Sequence, residues 1–249
     1  MVEVIRSVQR ACALLGAFTT TAPRLTLAEL SERAGLPKAT VHRLAATLID
    51  SGFMVQHQDG RYGLGLRLVG AGAVARADLD LVALCAPVMA RLAASTGETV
   101  LLGVADWPEL EVTIVHRIDS RHELSVVSPV GRRSRITLGA IGKALLLGLE
   151  PGELEQLATE LDLSAHTGLT ITERAAALAE IERCRRLRFA TDSGEFLPGV
   201  SAVAAPVGVI GTRAAGALAV VGPSTRLDEH LEAVGAQVRD EVARLGSAA

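Results

Sequence analysis

Aromatic side chains are nearly missing: four Phe, one Tyr and one Trp make up 2% of 249 residues. That scarcity argues against a cofactor bed or a single-stranded nucleic-acid groove built on stacked rings. Cysteine is also scarce. Cys12, Cys85 and Cys184 are widely spaced and form no CxxC pair, so neither a disulfide framework nor a structural zinc site is expected, and they read as small buried hydrophobes. Charge or proline interrupts every apolar stretch well short of the ~20 residues that cross a bilayer. The opening MVEVIRSVQRACALLGAF carries two arginines inside its apolar pattern and no small-residue cleavage site, so it does not read as a signal peptide and the expected location is cytoplasmic.

Hydrophobic residues supply 49% of the chain, enough for a sizeable core, and this length favours two domains. The charge divides unevenly. Residues 1–70 hold eight Lys/Arg against five Asp/Glu, and residues 71–249 hold seventeen against twenty-three, so a net of +3 faces a net of −6 within the total of −3. A basic head on an acidic body suits a chain whose head alone meets a polyanion.

Helical spacing of Val4, Ile5, Val8, Ala11, Cys12, Leu15 and Phe18 predicts a first helix. Thr26 and Glu29 form a capping-box signature before a second helix over Leu27–Ala34, which Gly35 ends. Pro37 suits the first turn of a third helix running to Ser51-Gly52, with Val41 and Leu44 toward the core. Two helices this close, followed by extended runs around Asp59-Gly60, predict a winged helix-turn-helix. Lys38, Ala39, Thr40, His42 and Arg43 on the third helix, with Arg61 and Tyr62 on the wing, are the candidate DNA-binding residues. An ion pair from Arg43 to Glu29 or Glu32 is the competing reading, as is plain surface exposure for Arg61, while Tyr62 is expected to pack at the hairpin base.

A connector helix is predicted over Leu66–Ala77, a break at Asp78–Asp80, and a further helix to Thr96 in which Pro87 marks a kink or a start near Ala86. Strands follow at TVLLGVA (99–105), EVTIVHRI (111–118) and ELSVVS (123–128). Helices are predicted over Gly139–Leu149, Pro151–Leu161 and Thr172–Leu187, then strands at VSAVAAPVGV (200–209) and AGALAVVG (215–222), and a helix over Leu227–Leu245. The body is therefore read as α+β with a mainly antiparallel sheet. Catalytic signatures fail. GAIGKA (139–144) has Thr137 in place of an earlier glycine and no hydroxyl after Lys143, GLGLRLVG (63–70) has the wrong interval for a dinucleotide fingerprint, and Ser201 lacks a nucleophile elbow. His116 and His122 suit no metal spacing. No catalytic residue, metal or cofactor is expected.

The blocks LTLAELSERAGLPKATVHRLAATLIDSGF, GRYGLGLRLVGAG, TGETVLLGV, VGRRSRITLGAIGKALL, FATDSGEFLPGVSAVAAPV and ALAVVGPSTRL resemble the isocitrate-lyase-regulator (IclR) family of bacterial transcription factors over essentially the whole chain. The resemblance implies a winged-helix DNA-binding domain (1–65), a linker helix (66–80) and a GAF/profilin-like effector-binding domain (81–249). It also implies a ligand-responsive regulator, repressor or activator, of a metabolic operon, binding a pseudo-palindromic double-stranded operator as a homodimer or tetramer. The effector residues it implies are Leu124, Val126, Leu138, Gly139, Ala140, Asp192, Ala202, Ala219 and Val221. Where many members carry serines and a cysteine, this chain has Ala219, Val221 and Ala202, so a partly apolar or aromatic carboxylate is a better effector than a small hydrophilic acid. Asp192 remains as the polar anchor or as the cap of a turn, and backbone N–H groups near Gly139 and Ala140 can hold a carboxylate. The alternative reading is an enzyme with a GAF-like catalytic body and a winged-helix dimerisation module.

Overall fold

Thr26 and Glu29 do close a capping box. Thr26 Oγ1 accepts the Glu29 N–H at 3.2 Å while Glu29 Oε2 accepts the Thr26 N–H at 2.7 Å, so two otherwise unpaired donors of the helix start are satisfied reciprocally. The computed structural model describes residues 5–77, 80–208 and 216–246, and the chain divides into two units, residues 1–78 and 79–249. Val4 in the first helix, residues 78 and 79 of the expected break at Asp78–Asp80, and the expected strand ends Val209 and Ala215 lie outside the described residues.

The first unit runs α1 (Arg6–Gly16), α2 (Leu27–Ala34), α3 (Lys38–Asp50), β1 (Met54–Gln56), β2 (Tyr62–Leu64) and α4 (Arg67–Ala77). Gly35, at φ 63°, ends α2 in the left-handed region that glycine adopts without penalty. Pro37 is the N-cap residue of α3 rather than its first helical residue. β1 and β2 pair antiparallel, and Leu25 adds a bridge to Tyr62. Leu14, Leu30, Val41, Ala45, Met54 and Tyr62 form one core beneath the helices and the wing, with Leu44 half-buried against it.

The second unit runs α5 (Asp80–Thr96), β3 (Thr99–Asp106), β4 (Glu111–Ile118), β5 (Arg133–Arg135), α6 (Gly139–Leu146), α7 (Pro151–Leu157), α8 (Arg174–Leu187), β6 (Ala190–Ser193), β7 (Val200–Val207), β8 (Gly216–Pro223), α9 (Ser224–Leu227), a 3-10 turn (Asp228–His230) and α10 (Leu231–Gly246). The strands form one antiparallel sheet in the order β5-β4-β3-β8-β7-β6. Alternate residues face opposite ways. Val100, Leu102, Val203, Ala205, Leu218 and Val220 pack with α5 and α10, whereas Leu101, Ala202, Ala204, Ala217, Ala219 and Val221 pack with α6 and α8.

Several sequence expectations are corrected. Residues 123–128 are not a strand, because β5 already occupies the outer edge of β4, pairing Val112 with Ser134. That segment is irregular and is held by Thr99 Oγ1 to the Val126 carbonyl and by Arg226 to the Leu124 carbonyl. β6 was not expected at all, since ATDS lacks the β-branched run that marks a strand. Pro87 falls inside α5, which continues through it. The carboxy-terminal helix is divided into α9, the 3-10 turn and α10.

The alanines of β7 and β8 let α6 lie close to the sheet, and one glycine lets the helix pack against the turn that leads into it. A Cβ at Gly142 would stand 1.9 Å from the Ile136 carbonyl oxygen, a backbone atom that cannot swing aside. Gly142→Ala is therefore expected to lower stability by about 3 kcal/mol, read from the urea midpoint of the full-length protein. A loss below ~1 kcal/mol would mean that α6 has room to move away from the turn at Ile136.

Candidate functional site

On α3, Lys38, Ala39, His42 and Arg43 are exposed and Thr40 is half-buried. The side chains of Lys38, His42 and Arg43 make no hydrogen bond or ion pair among the described residues, so Arg43 is not tied to Glu29 or Glu32. Glu29 instead receives Arg61, whose Nη1 lies 3.6 Å from Glu29 Oε2. The α3 start has no side-chain cap, which leaves exposed backbone N–H groups beside Lys38, a local chemistry suited to phosphate oxygens. The wing tip is Asp59-Gly60: Gly60 has φ 77°, and Asp59 Oδ1 accepts the Arg61 N–H at 3.0 Å. Tyr62 is corrected as a DNA-binding candidate. Only 4% exposed, it pairs through its main chain with Leu25 and belongs to the core.

In the second unit a cavity of about 660 Å³, mouth included, opens between the sheet, the start of α6, residues 126–132 and the turn at 194–197. Register explains its floor. Asp192 on β6 lies opposite Ala202 on β7, which lies opposite Val221 on β8, so three of the expected residues form one row on one face. Val126, Leu138, Gly139 and Ala140 also line it. Leu124 and Ala219 do not. Leu124 is 67% exposed because its segment is not a strand, and Ala219, one row further along between Leu101 and Ala204, is sealed in the core.

Asp192 is almost fully buried, and burial pushes its carboxyl from 3.8 up to about 6, against the opposing pull of the Glu195 N–H and the Lys143 ammonium. Its Oδ1 accepts that N–H at 2.8 Å, so it caps the 192–195 turn and lines the cavity at once. Gly139 opens α6 at φ 75° with no side-chain cap at Leu138. The first N–H groups of a helix have no partner within it, and here they border the cavity.

Sequence reasoning missed Arg132, Ser134 and Phe196. The guanidinium carbon of Arg132 sits 4.1 Å from the centre of the Phe196 ring, and its Nη1 reaches Ser128 Oγ at 3.2 Å. Burial lowers the Arg132 pKa from its ordinary value, and among the described residues no carboxylate pairs with it. Its neighbours behave differently: Arg133 pairs with Asp106 and Glu111, and Arg135 with Asp162. Alternation along 132–135 separates Arg132 and Ser134, which face the cavity, from Arg133 and Arg135, which reach carboxylates elsewhere, but no sequence signal says which side is which. Among the described residues, no group of three or more His, Cys, Asp or Glu could hold a metal ion, and no helix is long and apolar enough to cross a membrane.

Both units match known domain families. The family model of the bacterial transcriptional regulator IclR C-terminal domain matches residues 73–246, and that of the IclR helix-turn-helix domain matches residues 7–58. The transcriptional regulator XynR of Escherichia coli is 31% identical over 91% of this chain and 89% of its own. The solved IclR transcriptional regulator of Alicyclobacillus acidocaldarius superimposes with a TM-score of 0.84 at 26% identity, over 98% of this chain and 99% of its own. An IclR homologue from Microbacterium hydrocarbonoxydans, solved with 4-hydroxybenzoate, shares the fold with a TM-score of 0.77 at 21% identity, over 98% of this chain and 100% of its own. The family match sets aside the enzyme reading: this chain belongs to the IclR family of bacterial transcriptional regulators and is a DNA-binding, helix-turn-helix regulator of transcription.

Proposed function

We propose that this regulator answers to a planar, hydroxylated carboxylate bound in the 660 Å³ cavity, and that it acts in the cytoplasm as a symmetric homodimer or tetramer on a pseudo-palindromic operator of a metabolic operon. The observation that carries the effector chemistry is Arg132: a cation without a carboxylate partner among the described residues, laid on the Phe196 face inside an apolar chamber. A ligand carboxylate supplies the missing anion through a charge-assisted hydrogen bond. A planar body fits between Leu138, Ala202 and Val221. Asp192, ionised at neutral pH and lining the same cavity, accepts a hydrogen bond from the ligand hydroxyl while the first α6 N–H groups donate to the hydroxyl oxygen. The 4-hydroxybenzoate in the Microbacterium relative has this distribution of groups, which supports the reading.

The organisation proposed with it is a winged helix over 1–65, a linker over 66–80 and an effector-binding body over 81–249. Lys38, Ala39, Thr40, His42 and Arg43 face the major groove and its phosphates, and Arg61 exchanges Glu29 for a phosphate. Self-association is supported by apolar side chains left in solvent, Leu66, Val69 and Val74, which are 86%, 69% and 72% exposed. Effector binding favours one of two arrangements of the linker helices, which changes the separation of two recognition helices relative to half-sites about one helical turn apart.

Three outcomes follow. Arg43→Ala is expected to cost more than ~1 kcal/mol of operator affinity, with a smaller loss on random DNA; equal losses on both, by fluorescence anisotropy, would remove Arg43 from base readout. Arg132→Ala is expected to weaken 4-hydroxybenzoate at least ~10-fold by calorimetry, the worth of one charged hydrogen bond, while operator binding is retained. Unchanged affinity, or no binding to the wild type, rejects this effector chemistry.

The third outcome concerns pH. Folding raises the Asp192 pKa from 3.8 to about 6, so the empty protein prefers the protonated acid and loses that stabilisation as pH climbs through this window. A hydroxyl donates more strongly to the ionised carboxylate than to the protonated acid. Affinity for 4-hydroxybenzoate should therefore rise, by up to about tenfold, from pH 5 to 7 and then level, whereas benzoate, lacking the hydroxyl, shows no rise. Asp192→Asn keeps an oxygen for the Glu195 N–H and should abolish the dependence; a slope persisting in that variant assigns it to another group.

A further inference from the structure

A second cavity of about 480 Å³, mouth included, lies behind α6, enclosed by α7, α8 and residues 161–171. Its walls are mainly apolar, with Leu146, Leu154, Leu161, Ile171, Leu178 and Ile181 supplying most of them. One wall holds Lys143, which is 4% exposed. Its Nζ donates to Glu195 Oε1 at 2.7 Å and stands 3.6 Å from Glu180 Oε1, too far for a second hydrogen bond. Glu180 is engaged by Arg183 at 2.8 Å through both Nε and Nη2, which holds its carboxyl down at about 2. Lys143, Arg183, Glu180 and Glu195 thus balance to zero.

Arg174 does not belong to that balance. It also lines this cavity, is exposed, and makes no hydrogen bond or ion pair among the described residues. The chamber is therefore a mainly apolar interior with one unpaired cation at its edge, the complement of a molecule with an apolar body and one anionic end.

The roof of this chamber is joined to the first cavity. Thr167 and Thr170 Oγ1 donate to the Glu195 carbonyl at 3.1 and 2.8 Å, and Thr167 Oγ1 also lies 2.9 Å from the Gly194 carbonyl. His166, in the same segment, packs 5.3 Å from the Phe196 ring. The turn pinned in this way is the one whose Glu195 N–H holds Asp192 and whose Phe196 carries Arg132.

We propose that the cavity behind α6 is a second ligand site, taking a small amphipathic carboxylate with its apolar body against Leu154, Leu178 and Ile181 and its anionic end at Arg174, and that its occupation is felt in the first cavity through the 192–196 turn. This site does not depend on the effector chemistry proposed above. A molecule that wedges between α8 and residues 161–171 displaces the roof, and the roof cannot move without straining its hydrogen bonds to Gly194 and Glu195. By linkage, whatever the second ligand does to affinity in the first cavity, the first ligand does in equal measure to the second.

The experiment uses full-length protein and octanoate as the probe, followed by calorimetry. Wild type is expected to bind it, Arg174→Glu to weaken binding at least tenfold, and Ala177→Phe, which fills the chamber from α8, to remove it; Arg132→Ala should leave octanoate affinity unchanged. Arg174 is exposed and without a partner among the described residues, so its reversal tests the site even if Ala177→Phe fails to fold. No binding to wild type, or equal affinity in Arg174→Glu, overturns the site. Loss of octanoate binding in Arg132→Ala also overturns it, because the probe then occupies the first cavity. For the coupling, octanoate should slow amide exchange both at 161–171 and at 192–197; slowing confined to the roof overturns the communication.

Discussion

The close seat of α6 on the sheet is the contact on which the rest of the second unit depends. Ala202, Ala204, Ala217 and Ala219 present almost no side chain toward it, and Gly142 brings the helix against the backbone of Ile136. Larger residues on those strands would lift α6 and open its first turn to water. Held down, that first turn is buried with its N–H groups unpaired within the helix, and it becomes one wall of the 660 Å³ cavity while the opposite side of α6 becomes a wall of the smaller one. A single packing decision therefore creates two mainly apolar cavities, one on either side of one helix.

Several cations in this chain are left without a carboxylate partner among the described residues. Most arginines of the second unit are committed: Arg226 grips Glu98 through Nε and Nη2 at 2.6 and 2.9 Å, Arg91 meets Glu241, and Arg133 and Arg135 bind the carboxylates facing them. Each such pair holds a strand edge or a helix in place and has little left to offer a ligand. Arg132 and Arg174 lack such partners among the described residues, and each lines a cavity. In the first unit the same logic separates Arg61, shared with Glu29, from Lys38, His42 and Arg43, whose donors remain available to a polyanion.

The turn at 192–196 carries more than one task because its atoms are used twice. The Asp192 carboxylate caps the turn and lines the cavity, the Glu195 side chain pairs with Lys143 while its carbonyl anchors Thr167 and Thr170, and Phe196 lies beneath Arg132 with His166 packed near its ring. A carboxylate buried at this depth is costly to ionise. Its titration near pH 6 reflects the resulting balance between burial on one side and the turn amide and Lys143 on the other.

Local rules made much of the protein legible from its residues. The capping box at Thr26, the left-handed stop at Gly35, the Asp59-Gly60 turn and the 3.6-residue spacing of Val41 and Ala45 are short-range features, and short-range features write a winged helix directly into sequence. Short apolar runs bounded by turn residues likewise marked β3, β4, β7 and β8, and seven of the nine expected effector residues line the cavity because they lie on those strands, on β6, in the segment before β5 or at the α6 start. Long-range partner choice was not legible. Nothing local says that residues 133–135 rather than 123–128 take the free edge of β4, and that choice turns Leu124 out to solvent. Nor does the run Arg132, Arg133, Arg135 reveal which arginine will find no carboxylate. Those carboxylates, Asp106, Glu111 and Asp162, are brought near by sheet pairing and by the segment after α7, so only the tertiary structure decides that Arg133 and Arg135 are neutralised and Arg132 is left facing the cavity.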